Sequence, residues 1–167
     1  MGDPRHLKKK YKKPAHPFQK ERIIEELEFL GRYGLRNKRE FWKSRTMLAN
    51  WRQIARHSRT LPKENALEVQ QTLIKKLKRL GILGAEGEFE DVLLLTVEDV
   101  LKRRLQSLVY EKGLASTIYQ ARQFIVHGHV QVGNKKINAP SYIVKRAEED
   151  LIDFTPKSPL STVKEKA

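Results

Sequence analysis

Apolar residues recur at helical spacing through the first half of the chain, and strand-like alternation begins only after Gly128. From Gln19 to Tyr33, the residues Ile23, Ile24, Leu27, Phe29 and Leu30 return every third or fourth position, and Gly31 and Gly34 close the segment. That spacing predicts a first helix. A second is predicted over Lys38–His57, where Trp42, Met47, Leu48, Trp51, Ile54 and Ala55 supply an apolar stripe and both tryptophans are read as core. Pro62 breaks the chain before a third helix, Asn65–Leu80, built on Leu67, Val69, Leu73, Ile74, Leu77 and Leu80. A glycine-rich acidic connector follows. Val92–Leu95 then reads either as a short buried strand or as an extended approach.

The next stretch changes character. A helix is expected over Val97–Lys112, with Leu101, Leu105, Leu108 and Val109 on its packing face. At about 100° per residue, Arg103, Gln106 and Tyr110 gather opposite them, with Arg104 to one side. Gly113 ends that helix. Thr117 and Gln120 then fit a capping box for a helix whose Ile118, Ala121 and Ile125 face inward. Gln120, Gln123 and His127 point outward, with Arg122 at the boundary, and Gly128 terminates. Val130-Gln131-Val132 alternates as a strand, Gly133-Asn134 turns, and Lys135-Lys136-Ile137 returns. Ile143-Val144 and Leu151–Phe154 are expected to complete a small sheet. The fold class is α+β: a basic extended tail (1–18), a helical basic region (19–96), a compact helix–hairpin module (97–154) with a short, largely antiparallel sheet, and a C-terminal tail (155–167).

Charge sharpens this outline. The 167 residues carry a formal net charge of +14. Up to Lys63 there are 18 Lys and Arg against 6 Asp and Glu, and beyond it 16 against 14. Nearly all the excess therefore lies in the first two-fifths, an electrostatic footprint for phosphate. Arg5, Lys8, Lys9, Lys10, Lys12 and Lys13 crowd beside Pro4, Pro14 and Pro17. Such a segment is expected to stay disordered until a polyanion neutralises it. Tyr11 and Phe18 are available to stack on bases, and Phe18 also suits a hydrophobic staple on the first helix.

Other classes fall away. No run of apolar residues approaches a membrane span, no wide apolar face accompanies the basic one, and no signal peptide is visible, so the reading has no membrane partner. There is no cysteine, hence no disulfide or thiolate metal site. His127-x-His129 lacks a third ligand nearby and makes a poor metal site. No phosphate-binding glycine loop, cofactor loop or acidic dyad occurs. The chain is not expected to be an enzyme, and no cofactor or metal is assigned.

A helix–turn–strand surface rich in donors suits RNA, whose wide, shallow minor groove is recognised through shape, phosphates and 2′-hydroxyls. Arg103-Arg104-Leu105, Ala121-Arg122-Gln123 and His127-Gly128-His129-Val130-Gln131-Val132 resemble the S4 RNA-binding domain over about residues 99–154. Two departures stand out: Gln106 replaces the usual Asp, removing an ion-pairing group, and the usual Asn-Gly turn is inverted to Gly133-Asn134. Outside the module, Gly31-Arg32-Tyr33-Gly34-Leu35-Arg36-Asn37-Lys38-Arg39-Glu40 with Trp42, Pro14-Ala15-His16-Pro17-Phe18 and Ser158-Pro159 resemble the archaeal and eukaryotic branch of small-subunit ribosomal protein four. The short tail favours an archaeal source.

What the resemblance implies is a cytoplasmic, structural role in the small ribosomal subunit. It implies binding of 16S rRNA at a helix junction of the 5′ domain and early participation in assembly. It further implies neighbours including protein five, with mRNA passing nearby and an influence on decoding accuracy. A free-standing RNA chaperone or regulator, and less so an RNA-modifying enzyme, are the alternatives. Two layers of RNA-binding residues are expected. Arg5, Lys8, Lys9, Lys10, Lys12, Lys13, Arg36, Lys38, Arg39, Lys43, Arg45, Arg52, Arg56 and Arg59 neutralise phosphates. Arg103, Arg104, Thr117, Gln120, Arg122, Gln123, His127, His129, Lys135 and Lys136 form the ordered face that sets register.

Overall fold

The computed structural model describes residues 9–84, 86–156 and 158–159. Three helices lead: α1 (Lys20–Arg32), α2 (Lys38–Ser58) and α3 (Lys63–Leu80). Asn37 starts α2 by accepting a hydrogen bond from the Glu40 N–H, which satisfies one of the free donors of a helix start. Gly81, with φ of 67°, ends α3 in the left-handed region.

The inward face of α2 is Phe41, Ser44, Leu48, Trp51, Ala55 and Ser58. Of the two tryptophans, only Trp51 is core. Trp42 is half-buried and Ile54 is exposed, because the stripe is rotated toward Phe41. Leu48, Trp51 and Ala55 pack with Leu73 and Leu77 of α3 and with Leu83, Val92 and Val100 from the connector and beyond. Residues Asp91–Leu94 form a helical turn, α4, instead of the strand or extended approach expected for Val92–Leu95.

The helix expected over Val97–Lys112 is two helices, α5 (Val97–Lys102) and α6 (Leu105–Glu111). Arg104 between them is extended, at φ −73° and ψ 144°, and bridges Ile143 as in a sheet. The Leu105 N–H donates to Tyr142 O at 2.8 Å, and Val144 N–H to Arg103 O at 3.0 Å. Pairing with the 142–144 segment outweighs helix continuation here, so Ile143-Val144 does not join the sheet. The first of the two helices, α5, packs on α2, with Val100 in the α2–α3 core, so packing changes hands at Arg103-Arg104.

After α7 (Ile118–Val126), strands β1 (Val130–Val132), β2 (Lys135–Lys136) and β3 (Ile152–Phe154) form an antiparallel sheet in the order β2-β1-β3. Leu105, Leu108, Val109, Ala121, Ile125, Val130, Val144 and Ile152 make its core. Gly128 (φ 75°) and Gly133 (φ 59°) make the two turns. The chain beyond β3 folds back as far as Ser158, whose buried hydroxyl lies 3.0 Å from His129 Nδ1.

A smaller cluster packs Tyr33, Leu35 and Phe41 against Leu101 of α5. Gly34 sits beside it, buried, with φ of 56°. A β-carbon there would lie 2.7 Å from Gln106 Nε2 and 2.9 Å from Ile118 Cγ2. Gly34→Ala should therefore lower the unfolding free energy by roughly 1–3 kcal/mol, from overpacking and a left-handed backbone. Chemical denaturation measures this; an unchanged midpoint would show that the joint has room to spare.

Candidate nucleic-acid interface

The expected RNA-binding residues divide into those that reach solvent with their charge unspent and those that hold the protein together. On α2 and its approach, Arg36, Arg39, Lys43, Arg45 and Arg56 are exposed and make no ion pair among the described residues. Lys38, Arg45, Arg52 and Arg59 recur every seventh position, and with Arg56 they run along one flank of a helix about 30 Å long. Three members of that row are tethered. Lys38 pairs with Glu26 at 3.2 Å, Arg52 donates to Leu95 O, and Arg59 stands 3.9 Å from Glu90.

Arg5 and Lys8 lie outside the described residues. From Lys9 onward the tail is a strap laid on α1 and α2, in contrast to the disorder expected for the free chain. The Lys12 N–H donates to Thr46 Oγ1 at 3.0 Å, and Arg22 donates to the carbonyls of His16 and Pro17, each at 2.9 Å. Tyr11 stacks on Trp42 at 6.0 Å between ring centroids and carries the Lys9 ammonium 5.0 Å from its own. Lys9, Lys10, Lys12 and Lys13 along the strap are all exposed. Phe18 is 92% exposed and staples nothing.

Beneath the strap is an anchor that sequence reasoning missed. Glu26 is 1% exposed and receives Trp42 Nε1 at 3.0 Å, with Arg22 and Lys38 beside it. Burial alone would raise its pKa, but the hydrogen bonds from Trp42, Lys38 and Arg22 outweigh this and hold it below the usual carboxylate value. The available signal was position: Glu26 falls on the same helical face as Ile23 and Leu30.

In the module, several expected contacts are structural. Arg104 is 4% exposed and bonded to Glu40 of α2, so it is not a surface donor. Arg122 reaches the same carboxylate at 2.7 Å and touches Gln106 Oε1 at 3.2 Å. Gln106, expected outward, is fully buried and donates to Gly34 O at 2.9 Å and Ile118 O at 3.1 Å. The residue that departs from the S4 pattern thus contributes two amide donors where an aspartate would offer none. Glu40 is raised by burial, yet the bonds and charges of Arg122 and Arg104 bring its pKa below the usual value. Arg103 is likewise engaged, 2.8 Å from Glu149 and bonded to Val144 O.

What the module leaves accessible is narrower. Thr117, Gln123, His127, Lys135 and Lys136 are exposed. Thr117 accepts from the Gln120 N–H at 3.1 Å, while the Gln120 side chain caps Ser116 N–H at 2.7 Å, one residue earlier than the capping box expected. His129 is half-buried between Ser158 and the edge of Phe124. Among the described residues no group of His, Asp and Glu is placed to hold a metal ion, and no helix is long and apolar enough to cross a membrane.

Residues 103–152 match the S4 domain family. Over most of its length the chain is also similar to curated archaeal proteins described as "Small ribosomal subunit protein uS4". The one from Hyperthermus butylicus is 51% identical over 159 residues, 95% of this chain and 90% of the relative. That from Ignicoccus hospitalis is 48% identical, covering 95% and 96%. That from Methanothermobacter thermautotrophicus is 49% identical over 160 residues, covering 96% and 94%.

Proposed function

The chain belongs to the family of small ribosomal subunit protein uS4, and from that premise we propose how its surfaces are used. It is a structural protein of the small ribosomal subunit and not an enzyme. Its target is a helix junction in the 5′ domain of 16S rRNA, engaged early in assembly. It then sits in the cytoplasmic subunit near the path by which mRNA enters, beside protein five, and bears on decoding accuracy.

The observation that carries this reading is the division of cations. Arg36, Arg39, Lys43, Arg45 and Arg56 present charge with no ion pair among the described residues along the surface of α2 and its approach, which suits several phosphate strands at once. Thr117, Gln123, His127, Lys135 and Lys136 add hydrogen-bonding groups on the module. Arg104, Arg122 and Gln106 fix the two surfaces relative to each other, so a junction of defined shape is favoured over RNA in general.

Competition binding of the full chain at physiological salt tests this, with the 5′ domain of archaeal small-subunit rRNA against a length-matched structured RNA. A preference of at least about tenfold, or ~1.4 kcal/mol, is expected. Equal affinity would leave only sequence-independent attraction and would favour the RNA chaperone reading.

A further inference from the structure

The geometry points to a nucleotide site beneath the N-terminal strap, where one unpaired base of the bound RNA stacks on Trp42 while its phosphate is held by the surrounding cations. This rests on the RNA-binding reading and goes further, because it names a place and a form of RNA.

The strap does not lie flush on the helices. Between it, α1 and α2 is a hollow of about 330 Å³, lined by Lys12, Lys13, His16, Arg22, Trp42 and Arg45 among others. That volume is at the low end of the roughly 300–1,000 Å³ typical of small-molecule clefts. Its walls are fixed. Lys12 is tied to Thr46 by its backbone and Arg22 holds the carbonyls of His16 and Pro17.

Among the described residues, Trp42 and His16 are the aromatic side chains that line this hollow, and Trp42 is the larger ring. Its single polar atom is committed to Glu26, so what it offers the hollow is the carbon of an indole whose orientation is set by that bond. Tyr11 is already stacked on Trp42, and does not line the hollow, so the stacking expected of Tyr11 passes to its neighbour. Arg22 Nε is buried with no hydrogen-bond partner among the described residues. Aromatic surface next to crowded cations is the combination used to hold single-stranded nucleic acid, base on ring and phosphate on charge. A base inside a duplex presents only its edges, so duplex RNA cannot fill this site.

The test uses the full wild-type chain and tryptophan emission, with RNA binding measured in parallel by filter retention. Trp51 is 4% exposed in the core and gives a constant background; Trp51→Phe confirms the source of the signal. A short oligoadenylate should quench the Trp42 emission by about twofold or more at saturation. Duplex RNA and polyphosphate, each at equal occupancy, should leave it unchanged. Bound oligoadenylate without quenching overturns the site while leaving the RNA-binding reading intact. Quenching by duplex or polyphosphate as strong as that by the single strand also overturns it. Failure of every RNA to bind would instead overturn the underlying reading.

Discussion

Glu40→Ala should cost about 3–5 kcal/mol of folding stability, the loss expected when one partner of a buried charge cluster is removed. Two guanidiniums from the module converge on this carboxylate, and Arg104 is buried. Without Glu40 it would be a buried cation with no countercharge among the described residues. Chemical denaturation gives the number directly, and a loss below about 1 kcal/mol, the scale of an exposed pair, would mean that the cluster does not hold the halves together.

Glu40 in this cluster and Glu26 beneath the strap give the protein an acid-sensitive component. Glu40 and Glu26 both have pKa values lowered by folding, whereas in the unfolded chain a glutamate titrates near about 4.3. Between those values the unfolded chain binds more protons, so stability falls with falling pH. The contribution is complete above the unfolded pKa and is lost as pH drops through the folded ones. Glu40→Ala should accordingly flatten the stability profile below about pH 4.5 relative to wild type.

Much of this fold was legible because periodicity and punctuation agreed. Thr117, Gly113 and Gly128 start or stop helices where expected, and the hairpin turns at Gly133-Asn134. The errors share a cause: partners far away in sequence. Arg104 leaves the helix because residues 142–144 pair with it, which no local spacing reveals. Helical angle alone puts Gln106 opposite the packing face and Arg122 at the boundary, whereas Gly34 and Ile118 enclose the one and Glu40 of α2 holds the other. Glu40 could have been suspected, as the one carboxylate between Glu28 and Glu64 in a stretch crowded with cations. The basic row on α2 was visible in outline, but which members are tethered depends on Glu26, Leu95 and Glu90.

Neutralising Arg36, Arg39, Lys43, Arg45 and Arg56 together to glutamine should produce the largest functional loss. All five are exposed without an ion pair among the described residues, and such surface changes usually alter stability by no more than about 0.5 kcal/mol each. If each meets a phosphate, five fewer counterions are released on binding. The slope of log affinity against log salt should then become shallower by roughly 3.5–4.5, which near 0.15 M is on the order of a thousandfold in affinity. Arg104 and Arg122, spent on Glu40, should contribute to stability far more than to that slope.

The measurement that bears most directly on this division is the salt dependence of 5′-domain rRNA binding, for the wild type and the five-glutamine variant side by side. A folded variant with a slope shallower by about four would place the phosphate-reading surface on α2 and its approach. An unchanged slope in a folded variant would contradict the assignment and return that role to the strap or the module.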